Sequence, residues 1–149
     1  MLNIENLTTL TIDKKLLEEI SKSLSTDAPS REIDLTLCDN QTIQHYNKEY
    51  RGNDKATDVL SFPIENDIIR GSEEMPLGSI VISADFVRQK AKEFSHTQND
   101  ELSLLFIHGM LHLLGFDHET DNGEMRRKEE ETIRKFHLPQ SLIIRTEES

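Results

Sequence analysis

Apolar residues recur along this chain with two different periods, and the switches between them predict an alternation of strands and helices. Leu2-Asn3-Ile4 reads as a short first strand. From Asp13 to Leu24 the apolar positions are Leu16, Leu17, Ile20 and Leu24, the 3.6-residue period of an amphipathic helix. Asp27-Ala28-Pro29-Ser30 has the composition of a turn. Glu32 to Cys38 alternates, with Ile33, Leu35 and Leu37 on one face and Glu32, Asp34 and Thr36 on the other, which predicts a half-buried strand. Asp39 is placed to cap a helix through Ile43 and Tyr46 to about Tyr50. A polar loop, Arg51 to Lys55, then leads to a strand over Asp58–Phe62 that Pro63 stops. Residues 65–76 form a polar connection with Gly71 and Pro76, and Gly78–Ile82 is the next strand. The last two strands can pair as an antiparallel hairpin with a long loop.

Ser83 is a good helix cap, followed by Phe86, Val87, Ala91 and Phe94 at helical spacing. Asn99 or Asp100 is the candidate cap of the next helix, which is apolar on nearly every side: Leu102, Leu104, Leu105, Phe106 and Ile107, then Leu111, Leu113 and Leu114. Such a helix is expected to be buried, and it is too short to span a bilayer. Glu124 to Phe136 is a charged helix with Met125, Ile133 and Phe136 on its buried side, and Pro139 ends it ahead of a frayed tail. No internal repeat or linker is visible. The expectation is one domain over residues 1–149 of mixed α/β (α+β) class, with about four strands in a mixed sheet and about five helices.

Composition narrows the classes. A chain of 149 residues can bury one adequate core. The N-terminus carries no basic segment followed by a long apolar run, so no secretory signal is read. Cys38 is the only cysteine and has no internal partner, which fits a reducing cytoplasm; it reads as a small core residue at a strand end. The net charge of −11 argues against a general nucleic-acid binder. The acidic surplus lies in the first and last thirds, while residues 45–92 are nearly neutral. Any phosphate backbone must therefore be held by local basic groups against an unfavourable overall field.

The candidate chemistry is concentrated in His108-Gly109-Met110-Leu111-His112-Leu113-Leu114-Gly115-Phe116-Asp117-His118. His108 and His112 lie four apart and share a helix face. Gly115 can turn left-handed, end the helix and bring His118 back toward the pair. Three neutral imidazoles with a fourth position open are the usual protein part of a catalytic zinc site. The alternative, three satisfied core histidines, needs three buried polar partners that the apolar surroundings do not offer. The spacing is that of the metzincin signature, but Gly109 stands where those proteases have a general-base Glu. Peptide hydrolysis by that route is disfavoured. A glycine inside a helix costs about 1 kcal/mol relative to Ala, so a close approach by backbone, water or substrate is expected at Gly109.

Other residues are more ambiguous. Arg51 ends a helix at a Gly-containing loop: from position alone it reads as a cation on the helix dipole, though a guanidinium there can also grip phosphate. Asp117 reads equally as an acceptor for a ligand histidine and as a turn cap. His45, His96 and His137 have no motif spacing and read as surface residues, His96 being the nearest to the apolar helix. Arg126-Arg127-Lys128 followed by Glu129-Glu130-Glu131 reads as a solvated face of paired charges, with RNA contact as a minor alternative.

The block His108–His118 closely resembles the H-G-x-L-H-L-x-G-[FY]-D-H signature of the YbeY family, bacterial metal-dependent endoribonucleases of rRNA maturation. Tyr50-Arg51 with Thr57-Asp58-Val59-Leu60-Ser61-Phe62-Pro63 looks like that family's second block. Leu77-Gly78-Ser79-Ile80-Val81-Ile82-Ser83 is similar to its L-G-D-I-x-I-S strand, with Ser79 in place of the usual Asp. The likeness runs over about residues 30 to 135. It implies a single zincin-like domain, one zinc ion on His108, His112 and His118, and a functional role for Arg51. It also implies single-strand-specific cleavage in 16S rRNA 3′-end maturation and 70S ribosome quality control, with the 16S precursor and the small ribosomal subunit as cytoplasmic partners. The general base is left open between a water at the metal, His96 and the RNA's own 2′-OH. Two rivals remain: a zinc metallopeptidase, and a non-catalytic ribosome-assembly factor whose zinc is structural and closed by a fourth ligand such as Asp117 or His96.

Overall fold

The centre of the molecule is a pair of strands whose apolar residues are buried. In the computed structural model, which describes residues 2–26, 31–64 and 76–139, these are β2 (Ile33–Cys38) and β4 (Gly78–Ser83). They pair in parallel, Ile33 beside Gly78 through Cys38 beside Ser83. β1 (Leu2–Asn6) adds in parallel to β2, and β3 (Val59–Pro63) runs antiparallel to β4, with Val59 opposite Ile82 and Pro63 opposite Gly78. The strand order is β1-β2-β4-β3, a mixed four-stranded sheet that includes the expected hairpin pairing. Pro63 sits on the edge strand, where a missing ladder donor is tolerated. The expected turn at 27–30, most of the 65–76 connection and the tail beyond 139 lie outside the described residues.

Five helices are described: α1 (Lys14–Leu24), α2 (Asn40–Arg51), α3 (Ala84–Glu93), α4 (Gln98–Leu113) and α5 (Glu124–Lys135). Side-chain oxygens of Asp13, Asp39 and Ser83 cap the first three, accepting from the backbone of Leu16, Thr42 and Phe86. The hydrogen bonds from Thr42 hold the Asp39 carboxyl below the usual carboxylate range. The α4 cap is neither Asn99 nor Asp100 but Thr97. Its hydroxyl accepts from Asp100 N (3.0 Å) while the Asp100 carboxylate accepts from Thr97 N (3.3 Å), a reciprocal capping box. Asn99 instead accepts from Asp13 N at 2.9 Å, which ties the start of α4 to the start of α1.

α4 packs against β3, β4, α1, α3 and α5, and the main core forms around it from Leu35, Ile80, Ile82, Leu17, Ile20, Phe106 and Met110. On the opposite sheet face a smaller cluster joins Cys38, Leu60 and Val81 to Ile43 of α2. Burial of Cys38 pushes its thiol up to about 11, consistent with an inert core residue. No helix among the described residues is long and apolar enough to cross a membrane.

The close approach at Gly109, expected from backbone, water or substrate, is made instead by side chains of the sheet, because α4 lies directly on β3 and β4. A Cβ at this position would stand 2.9 Å from Ile80 Cγ2 and 3.2 Å from Ser61 Oγ. Ile80 is fully buried and its β-branched side chain is stiff. Gly109→Ala is therefore predicted to destabilise: overpacking of about 1–3 kcal/mol outweighs about 1 kcal/mol of gained helix propensity. Urea unfolding checks this, and a raised midpoint would contradict it.

Candidate metal centre

The last two turns of α4 place His108 and His112 one above the other, with ring centroids 4.8 Å apart. The helix then stops in a Schellman arrangement. Phe116 N donates to Leu111 O (3.0 Å) and Gly115 N to His112 O (3.1 Å), with Gly115 at φ +96°. This reversal returns His118 to the pair, its ring 5.7 Å from that of His108 and 6.3 Å from that of His112. One nitrogen from each of the three half-buried rings lies within 4.8 Å of the others. Among the described residues, no fourth histidine, cysteine or carboxylate completes the cluster.

A hydrogen bond on the far side of His108 decides what that ring turns inward. His108 Nδ1 lies 3.2 Å from Glu129 Oε2 on α5. A carboxylate only accepts, so Nδ1 carries the hydrogen and Nε2 the lone pair. The Phe116 backbone, whose N–H is committed to Leu111, lies near the His112 ring and partly offsets the influences that disfavour its protonated form. His108 Nε2 then turns its lone pair toward His112 Nε2, 3.2 Å away, while Nδ1 of His118 is buried with no partner. These donors fit a cation, which supplies what the protein alone lacks. Burial, with the neighbouring His108 and His118 rings next in weight, holds His112 below the usual imidazole range and keeps it neutral, the form a metal requires.

The other candidates divide. Asp117 caps the turn: its carboxylate accepts from Glu119 N (3.0 Å), and its carbonyl accepts from Asp121 N. Asp121 holds the entry to α5, accepting from Gly123 N (2.8 Å) and Met125 N (3.0 Å), which with burial opposing leaves its carboxyl below the usual range. His45 and His137 are exposed, as expected. His96 is not a surface residue: its side chain is 9% exposed and its Nε2 lies 2.8 Å from the fully buried Glu101 carboxylate, apart from the three-histidine cluster. The physical reason is the corner at Ser95, with φ +56°, which folds the ring inward.

Arg51 is drawn across the edge of the sheet. Its Nη2 donates to Ser61 O, and the guanidinium lies 5.5 Å from the Phe62 ring centroid. Ser61 Oγ in turn donates to the Gly109 carbonyl (3.2 Å), so one strand residue links Arg51 to the helix beside His108. Among the described residues the partners of Arg51 are Ser61 and Phe62, and no hydrogen bond joins it to the histidines.

Glu129 was missed. In sequence it is one of three consecutive glutamates and reads as solvated, yet it is 1% exposed. The available signal was phase: Glu129 lies four residues after Met125 and four before Ile133, on the one apolar stripe of α5.

Comparison with known proteins now bears on this geometry. The family model described as Endoribonuclease YbeY matches residues 2–137. The chain belongs to the YbeY endoribonuclease family. A Sulfurovum sp. (strain NBC37-1) protein named Endoribonuclease YbeY is 56% identical over 148 residues, covering 99% of this chain and 98% of its own. One from Aliarcobacter butzleri (strain RM4018), of the same name, is 58% identical over 146 residues, covering 97% and 99%. Among solved structures, the solution structure of TM1509 from Thermotoga maritima superposes with a TM-score of 0.62 at 28% identity, over 91% of this chain and 89% of that one. The YbeY resemblance read from the histidine block thus extends over nearly the whole chain.

The depressed His112 sets a pH dependence. Its unfolded value is the ordinary 6.5 and its folded value is lower, so the unfolded chain binds the proton first as pH falls. The metal-free protein is predicted to lose stability as pH drops below about 6.5 toward the folded value. Urea midpoints of chelator-treated protein between pH 7.5 and 5.5 should fall more steeply than those of His112→Gln. Parallel slopes would contradict it.

Proposed function

We propose that this chain is a zinc-dependent, single-strand-specific endoribonuclease of the cytoplasm, acting in 3′-end maturation of 16S rRNA and in quality control of 70S ribosomes. The observation that carries the reading is the convergence of His108, His112 and His118 within 4.8 Å in a YbeY-family chain whose relatives bear the name endoribonuclease. A three-histidine set without a fourth protein ligand among the described residues favours a catalytic over a closed structural site. A divalent cation bound there supplies Lewis-acid polarisation of a phosphoryl oxygen and acidification of a water.

The chain's own residues supply orientation and charge. Glu129 holds the His108 ring with its Nε2 lone pair inward. Arg51 is assigned to the substrate phosphate. Ser61 and Phe62 restrict its guanidinium beforehand, and its remaining N–H groups make no hydrogen bond to described residues. A pre-positioned guanidinium loses less entropy on gripping phosphate and stabilises charge that builds on its oxygens. Gly109 has no side chain to act as base, and His96 is engaged by Glu101. Product ends then identify the nucleophile: a 2′,3′-cyclic phosphate marks attack by the RNA 2′-OH. The small ribosomal subunit is the proposed partner, supplying the positive surface that a chain of net charge −11 lacks.

Metal content and cleavage of single-stranded RNA, measured together with and without small subunits, test the reading. Wild type is expected to hold near-stoichiometric zinc and to cleave, and His112→Ala to lose both. Arg51→Ala is expected to keep its zinc and lose about 100-fold in turnover; loss of zinc would reassign Arg51 to a structural role. Bound zinc with RNA intact in the presence of subunits would overturn the nuclease reading in favour of a non-catalytic assembly factor.

A further inference from the structure

We infer that Glu129 is a positioning residue of the metal centre, fixing the tautomer of His108 and coupling cation binding to the docking of α5. The inference rests on the proposed reading of the three histidines as metal ligands. Glu129 is 1% exposed, and Met125 and Ile133, one turn to either side on the same face, are buried in the core. The carboxylate is therefore held in place and cannot turn out to water without undocking the helix. Its Oε2 stands 3.2 Å from His108 Nδ1.

Chemistry follows from that contact. The tautomer with hydrogen on Nε2 would set an Nδ1 lone pair against a carboxylate lone pair in a buried place, so the hydrogen belongs on Nδ1. Nε2 is thereby committed as a donor toward the point it shares with His112. The negative charge also makes the ring a stronger ligand. Because Glu129 belongs to α5 and His108 to α4, any cation held by the ring is held more tightly when α5 is docked, and by reciprocity its binding stabilises that docking. Read as merely a buried polar residue, Glu129 would stabilise the fold equally with and without metal.

Zinc affinity, measured by competition with a chromophoric chelator, and melting temperatures with and without zinc separate these cases for wild type, Glu129→Ala and Glu129→Gln. Glu129→Ala is expected to bind zinc about 10–100-fold more weakly. Glu129→Gln is expected to lose less, because its carboxamide oxygen still accepts from Nδ1. Zinc should raise the melting temperature of both variants by less than it raises that of wild type. Heteronuclear NMR of the metal-free wild type should place the His108 hydrogen on Nδ1. Unchanged zinc affinity in a folded Glu129→Gln and Glu129→Ala, or hydrogen on Nε2, would overturn the assignment. Failure of the wild type to bind zinc would overturn the metal reading beneath it.

Discussion

Burial of α4 on every side is the constraint on which the rest of the structure depends. An all-round apolar helix needs cover on all flanks, and here the sheet lies beneath it with α1, α3 and α5 around it. Gly109 allows the helix to sit directly on Ile80 and Ser61. The polar groups carried into this core must be answered in place. Glu101, fully buried near the start of α4, is met by His96 at 2.8 Å, and the Gly109 carbonyl also accepts from Ser61 Oγ. The same packing that makes α4 rigid fixes where its last two turns present their imidazoles.

At that end of the helix several effects favour one kind of ligand. The C-terminal end of α4 carries the negative pole of the helix dipole, which attracts cations. Glu129 takes the His108 hydrogen on the far side of that ring, so the His108 Nε2 lone pair faces His112 Nε2 at 3.2 Å. Protonation of His112 is opposed by burial and by the other two rings. A cation shared by the three rings leaves each of them neutral.

What could be read from the sequence was what is local. The two histidines at helical spacing and the Gly115 reversal lie within eleven consecutive residues, and backbone geometry alone converges them. The alternation of β2 and the capping role of Asp39 are equally short-range. The insertion of β4 between β2 and β3 is not, because it depends on pairing between segments some forty residues apart. The α4 cap differs from the expected one because three of the four residues from Thr97 to Asp100, all but Gln98, have capping chemistry, and only the reciprocal bond with Asp100 selects Thr97. Glu129 and His96 were misread for a common reason. Charge in a local window suggested solvent, whereas their burial is set by partners on other elements or around a corner.

The charge distribution bears on how such a site would meet RNA. The basic triplet of α5 is engaged by its own helix: Arg126 with Glu130 at 3.4 Å, Arg127 with Glu124 at 3.8 Å and Lys128 with Glu131 at 3.5 Å. Exposed pairs of this kind add little stability, but they cancel the field that would draw in a polyanion. With net charge −11, long-range attraction to a phosphate backbone is absent or reversed. Capture must then come from short-range groups rather than from the field of the whole chain. Few phosphates neutralised by the protein means few counterions released, so affinity for bare RNA would be weak and only shallowly dependent on salt. An enzyme built this way would act where something else delivers its substrate, which is how an acidic chain and an RNA-cleaving site can belong to one molecule.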